Sequence, residues 1–177
     1  MSDAIARAYE LLDSQDRAGA MACLRSAGGA EAVGLLGELL LEDGHAADAA
    51  EALSQALAAD PGHTPWHRAL VTALMAAGQR EAALLACRDL LGRRPDDAAG
   101  QAAMARLTLD SGDRAAALAH AREARFLAPA DLSIMTATAL VLVDADEALV
   151  AVEMLDAALR HAHPVDPAQP AGWVALG

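Results

Sequence analysis

The sequence predicts an all-α protein in which pairs of helices repeat along the chain, and its composition and periodicity support this independently. Hydrophobic residues make up 55% of the 177 residues, yet there are only two Trp, one Tyr and one Phe. The core must therefore consist mainly of Ala, Leu, Val and Met, of which Ala and Leu are strong helix formers. A chain of this length can form one domain with a substantial core.

Small and turn-forming residues recur every 34 residues along the chain, as between Gly44, Gly78 and Gly112. Such repetition indicates a stacked array, because a single unit cannot bury its own hydrophobic face. The positions that share the spacing are the turn residues Gly44, Gly78, Gly112 and Asp146, the alanines Ala49, Ala83, Ala117 and Ala151, and the prolines Pro61, Pro95 and Pro129, with Pro164 one position late.

The stretch 64–97 predicts two helices joined by a glycine turn. Thr64 is the expected N-cap, and Pro65 suits the first turn, where a missing N–H costs nothing. The first helix should run to about Ala77, where Gly78 supplies a backbone with positive φ that a side chain would disfavour.

The second helix of this unit should run from about Arg80 to Gly92. Pro95 then prevents its continuation, and Asp96–Asp97 offer a cap for the helix that follows. The recurring alanine, here Ala83, allows the second helix of a unit to approach the first closely. Packing and turn geometry therefore account for the repeated residues.

This pattern resembles the tetratricopeptide repeat (TPR) family, whose unit has the same length. In residues 30–63 the family's large and small positions are filled by Val33, Leu36, Gly37, Leu40, Ala49, Leu53, Ala56 and Pro61. The family's aromatic positions hold mostly Leu, Thr, Cys or Ala. The resemblance implies a right-handed α-α superhelix of about four to five helix pairs. The expected units are about 1–29, 30–63, 64–97, 98–131 and 132–163, followed by a Pro-rich linker or tail at 164–177.

Members of this family act as protein-interaction scaffolds, in which the first helix of each pair lines a concave groove that accepts a peptide or helix. The family positions predict that the groove contacts are made by Glu38, Glu42, Arg68, Thr72, Arg106, Leu109, Thr136 and Leu140. The same positions place further residues along the groove: Glu31, Gly34, Leu41, Pro65, Met75, Ala76, Ala99, Ala102, Asp110, Ser133, Val143 and Asp144.

Two arginines stand at the middle of this expected groove. Arg68 and Arg106 occupy adjacent first helices at comparable height, which favours a grip on a carboxylate of the ligand. The alternative is that both are solvated or paired with Glu38, Glu42 or Asp110, since surface ion pairs are common.

The leading function is therefore a non-enzymatic adaptor for a protein or peptide partner. Two alternatives remain: an interaction or regulatory module at the N-terminus of a larger enzyme, such as a glycosyltransferase, and a secretion-type chaperone. The apolar stretch 132–143 suggests burial on both faces of its helix. Three alternatives would bury this helix: a homodimer partner, the tail with Trp173, or a further domain that begins near Trp173.

Charge and motif content narrow the function classes. The net charge of −12 repels nucleic acid and anionic membranes, and no apolar run is long enough to span a bilayer. Without a recognisable signal peptide, the expected compartment is the cytoplasm, where Cys23 and Cys87 stay reduced. The His63–His67 and His161–His163 pairs have no evident third ligand. No cofactor, metal or catalytic constellation is predicted.

Overall fold

The structure, a computed structural model, describes the backbone of residues 3–162 and the side chains of residues 3–160. Within that range the chain forms ten α-helices and no strand. The helices are α1 (Asp3–Asp13), α2 (Arg17–Ala27), α3 (Ala30–Glu42), α4 (Ala46–Ala59), α5 (Thr64–Ala76), α6 (Arg80–Arg93), α7 (Ala98–Asp110), α8 (Arg114–Leu127), α9 (Leu132–Asp144) and α10 (Ala148–Ala162). The predicted all-α fold is confirmed, while the Pro-rich tail at 164–177 lies outside the described residues.

Helix starts follow the constant spacing seen in the sequence. The odd-numbered helices α3, α5, α7 and α9 begin at residues 30, 64, 98 and 132, and their even-numbered partners begin at 46, 80, 114 and 148. The first pair departs from this spacing. Its second helix, α2, begins at residue 17, which is 29 residues before the start of α4 at residue 46, whereas the later even-numbered helices begin 34 residues apart. Gly28 and Gly29, both with positive φ, separate α2 from α3.

The helices pack in chain order as a solenoid. Each odd-numbered helix from α3 onward contacts both its own partner and the even-numbered helix before it. The helices α3, α5, α7 and α9 also contact one another in succession, whereas successive even-numbered helices of the described chain stand farther apart. The odd-numbered helices therefore form the inner, concave side of the array, and the even-numbered helices form its convex side.

Small residues set the distance between the two helices of a pair. The recurring alanines Ala49, Ala83, Ala117 and Ala151 are all no more than 1% exposed. At Gly37 in α3, an added Cβ would lie 2.7 Å from Cγ of Leu53 in α4, which is closer than non-bonded carbons approach. The alanine and glycine content of the chain is thus used where its helices cross.

The turns between paired helices need a left-handed backbone. Gly44, Gly78 and Gly112 have φ values of 82°, 71° and 87°, as their spacing predicted. Asp146 takes the same place before α10 with a φ of 58°. Gln15 in the turn before α2 also has a positive φ, of 63°. Because a side chain in this region costs free energy that glycine avoids, the first and last turns are the strained members of the series.

One predicted cap is correct and one is wrong. Asp97 is the N-cap of α7, and its Oδ1 accepts a hydrogen bond from the backbone N of Gly100 at 2.8 Å. Thr64, by contrast, is the first residue of α5, and its N-cap is His63, whose side chain makes no capping bond. The register explains the error, since His63 occupies the same place in its unit as Asp97 does in the next.

Reciprocal substitutions test the backbone strain. Gly78→Asp should lower the free energy of unfolding by about 1 kcal/mol, and Asp146→Gly should raise it by a similar amount. An added Cβ at Gly78 meets no atom within 4 Å, so its cost reflects backbone conformation alone. The measurement is urea denaturation followed by circular dichroism.

Asp146→Ala is the matched control for this pair. It removes the exposed ion pair with Arg114, whose Nη1 lies 3.5 Å from Oδ2 of Asp146, but keeps a side chain at positive φ. It should therefore not stabilise the protein. Equal stabilisation by Asp146→Ala and Asp146→Gly would contradict an origin in the backbone.

Candidate peptide-binding groove

The inner faces of α5, α7 and α9 enclose an open groove of about 660 Å³. Alanines of α7 and α9 form most of its floor, and larger apolar side chains from α5 and α9 line its sides. Leu140 is the most exposed large one, at 60%. The lining consists of Thr72, Met75, Ala76, Ala99, Ala102, Ala103, Arg106, Ser133, Ile134, Ala137 and Leu140.

Part of the predicted contact set lines this groove. Thr72, Arg106 and Leu140 do so, together with Met75, Ala76, Ala99, Ala102 and Ser133 of the wider set. The other contacts predicted from family positions, which lie outside the lining, are Glu38, Glu42, Arg68, Leu109 and Thr136.

Three lining residues were not predicted: Ala103, Ile134 and Ala137. They lie beside predicted positions, one step around the helix. An alanine is usually assigned to a helix crossing, so its presence at an open surface carries little signal in sequence. The adjacent pair Ala102–Ala103, in which both residues line the groove, is the pattern that marks this floor.

Arg106 is neutralised by two carboxylates at the rim of the groove. Its Nη2 lies 2.8 Å from Oδ1 of Asp110, one turn along α7, and its Nη1 pairs with Asp144 at the end of α9. Hydrogen bonds from Asp144 first and Asp110 second raise the pKa of the guanidinium above its usual value. The predicted alternative of pairing with Asp110 is therefore observed, and Asp144 is an additional partner.

Arg68 is likewise engaged within the protein. Its Nε donates to Oδ2 of Asp97 at 2.6 Å, while Oδ1 of the same carboxylate caps α7. The Asp97 side chain is fully buried, so removal of Arg68 would leave an uncompensated charge inside the protein. Charge reversal at Arg68 or Arg106 would consequently destabilise the fold as well as alter the binding of any ligand.

At the α3 end, an aromatic side chain fills the space that the sequence assigned to the groove. An added Cβ at Gly34 would lie 2.2 Å from Cε2 of Trp66, which is itself only 5% exposed. His63 stacks on this indole with a centroid distance of 3.7 Å. The placement of Gly34 in the groove was therefore wrong, because Trp66 of α5 covers it.

Two predicted acidic contacts lie at this covered end. Glu42 pairs with Arg17 of α2, with Nη2 and Oε2 2.6 Å apart. Glu38 is half-buried, and loss of solvent raises the pKa of its carboxyl. The negative charge of Glu42 adds to this effect, whereas the nearby His63 opposes it.

Glu38→Gln should stabilise the protein at neutral pH. A carboxyl whose pKa is higher in the folded than in the unfolded state binds more protons when folded, so stability falls as pH rises through the interval between the two values. The neutral amide removes this penalty. Thermal melts should show a higher Tm for the variant at pH 7 and no gain at a pH below the ordinary carboxyl range. A gain at both pH values would contradict the electrostatic cause.

The polar side chains of His67 and Gln101 have structural roles. The His67 Nε2 lies 2.9 Å from the carbonyl oxygen of Pro61, and in the next unit Gln101 Nε2 donates to the carbonyl of Pro95 at 3.0 Å. These two side chains hold equivalent loops against their helices. Among the described residues no group of three or more His, Cys, Asp or Glu side chains is placed to bind a metal. The His161–His163 pair lies outside the described side chains.

Both cysteines are free thiols in the described structure. Burial raises the pKa of Cys87 to about 12, with a smaller contribution from the charge of Asp97, and its Sγ donates to the carbonyl of Gly100 at 3.3 Å. Cys23 is partly exposed, and its Sγ donates to the carbonyl of Ala4 at 3.3 Å.

Cys87 should therefore resist thiol reagents in the folded protein. Because the thiolate is the reactive form, a pKa of about 12 leaves almost none of it at pH 8. With a Cys23→Ser variant, a colorimetric thiol assay should show no reaction before denaturant is added and one thiol per chain afterwards. Fast labelling of the native variant would contradict the burial of Cys87, and Cys87→Ala in the same background supplies the blank.

Comparison with known proteins agrees with this geometry. The tetratricopeptide repeat model matches residues 40–107, while no curated protein matches the sequence. A MamA fragment from Desulfovibrio magneticus RS-1 has a TM-score of 0.75 at 16% identity, over 94% of this chain and 99% of that chain. A MamA RS-1 double mutant gives 0.76 at 16% identity, over 94% and 98%.

These similarities to MamA establish the fold of the array from its first helix pair to its last. None of the helices in the described range is both long and apolar enough to cross a bilayer. With the repeat match at residues 40–107 and the structural similarity along its length, the chain has the fold of a tetratricopeptide-repeat array.

Proposed function

We propose that the protein is a non-enzymatic adaptor that binds a segment of a partner protein in the groove formed by α5, α7 and α9. The observation that carries this proposal is the groove itself, an open channel of about 660 Å³ with a floor of small apolar side chains. Tetratricopeptide repeats generally mediate protein–protein interactions, and a helix laid into an apolar groove is a recurrent mode of such binding.

The floor specifies the apolar side of the ligand. Alanines at Ala99, Ala102, Ala103 and Ala137 leave room for larger side chains from the partner, and Leu140 offers an exposed apolar wall. Binding would remove these surfaces from water, which is the main favourable term in association. An amphipathic helix or extended segment with bulky apolar residues fits this surface.

The rim specifies the charge of the ligand. Asp110 and Asp144 both pair with Arg106, and Asp110 also faces Arg80, so both guanidiniums of this rim are engaged within the array. A segment with a basic or neutral flank is therefore favoured over the acidic ligand that the two arginines suggested from sequence. The proposed compartment is the cytoplasm, a reducing environment that suits the free thiols.

Leu140→Glu tests the groove directly. It places a charge among the apolar contacts and should weaken partner binding by at least about tenfold, because leaving a charge without a partner in an interface costs well over about 1 kcal/mol. The measurement is affinity capture from lysate of the source organism. Each captured protein is then titrated against the wild type and against Leu140→Glu by isothermal calorimetry.

Leu85→Glu is the matched control for this substitution. Leu85 is 66% exposed on α6, a convex helix, and lines none of the described grooves. Partners that bind the wild type and Leu85→Glu equally, but bind Leu140→Glu weakly, would support the proposal. Equal binding of Leu140→Glu and the wild type would place the contact elsewhere and refute it.

A further inference from the structure

The convex side of the array holds a second groove, between α8 and α10. Two adjoining cavities of about 60 and 440 Å³ share Arg125 and Met154 in their walls. The smaller cavity is also lined by Leu118, Arg122 and Val150, and the larger cavity is also lined by Phe126. This surface lies on the opposite side of the helices from the groove of α5, α7 and α9.

Arg122 and Arg125 differ from most other arginines of the chain. Nine of the thirteen arginines make ion pairs within the described structure, including Arg68 and Arg106 on the concave side. Arg122 and Arg125 are exposed and make neither an ion pair nor a hydrogen bond with any described residue. Two guanidiniums that make no ion pair thus face one groove in a chain whose net charge is −12.

The two carboxylates of the groove lining make no described ion pair with these arginines. Glu147 is engaged by Arg114, with its Oε1 3.4 Å from Nη2 of that residue. Glu153 is then the one unpaired carboxylate of the lining, and it makes no ion pair with Arg125 in the described structure. The cavity that contains Arg25, by contrast, also contains Asp48 and Glu51.

An exposed aromatic side chain adjoins the arginines. Phe126 is the single phenylalanine of the sequence, and it is 79% exposed although the core is short of large side chains. Val150, which is 36% exposed, extends the apolar surface of the groove, and Met154 lies buried beneath it. Aromatic residues, Met and Arg are the types enriched at the centres of protein interfaces.

We propose that this convex groove binds a partner segment in which carboxylates flank a bulky apolar side chain. The apolar side chain packs against the exposed Phe126 and Val150, and the carboxylates pair with Arg122 and Arg125. Arginine suits this role because its planar guanidinium can donate two parallel hydrogen bonds to one carboxylate. The two faces of the array therefore prefer opposite charges: a basic or neutral segment on the concave side and an acidic segment on the convex side.

A random peptide library displayed on phage provides the probe. Selection on immobilised wild-type protein should enrich peptides with Asp or Glu next to Phe, Leu, Ile or Met. A synthetic copy of the most enriched acidic peptide, labelled with fluorescein, is then titrated by fluorescence anisotropy. Its affinity should fall at least about tenfold for Arg122→Glu/Arg125→Glu and also fall for Phe126→Ser, because both remove direct contacts.

Arg25→Glu/Arg88→Glu is the matched control, since it reverses the two other arginines that lack an ion pair and so changes the net charge equally. It should retain wild-type affinity, as should Leu140→Glu on the concave side. Three results would overturn the proposal: no enrichment of acidic peptides, equal weakening by both arginine double variants, or loss of binding with Leu140→Glu. Far-ultraviolet circular dichroism checks that each variant is folded, and Arg122→Gln/Arg125→Gln gives a milder second test.

Discussion

The close approach of paired helices at a small side chain is the interaction on which the rest of this structure depends. Ala49, Ala83, Ala117 and Ala151 are almost fully buried where each second helix crosses its first. Larger side chains there would push the helices apart, at a cost of roughly 1–3 kcal/mol per overpacked site. Because the crossing recurs at the same place in each of these units, every unit presents the same faces to its neighbours, and the first helices align along one side of the molecule.

The inner surface follows from that alignment. Helices α5, α7 and α9 contact one another, and small side chains on their inner faces leave an open channel between them. Charges at the channel edge connect neighbouring helices: Arg68 joins α5 to the cap of α7, and Arg106 joins α7 to the end of α9. The arginines of the concave side thus hold successive units together, so the proposed ligand would be attracted mainly by apolar contact.

Local features of this fold could be predicted from the sequence because they depend on single residues. A glycine with positive φ, an alanine at a crossing and Asp97 as a cap each have a physical requirement that few residue types satisfy. The groove contacts could not be predicted as well, because they depend on which side chain reaches across the next helix. Trp66 covers Gly34 from the following unit, and Arg68 and Arg106 find their carboxylate partners, Asp97 and Asp144, on the next odd-numbered helix or its cap.

The distribution of ion pairs underlies the different ligand preferences that we propose for the two faces. On the concave side, successive helices lie close enough for a guanidinium of one unit to reach a carboxylate of the next, so its positive charge is satisfied within the array. On the convex side, α8 and α10 stand farther apart, and Arg122 and Arg125 face solvent with no described partner. Arg17, Arg80 and Arg114, at the starts of even-numbered helices, still reach carboxylates of the next unit. Arg122 and Arg125 lie farther along α8, where the outer helices have diverged, and they remain without such a partner in the described structure.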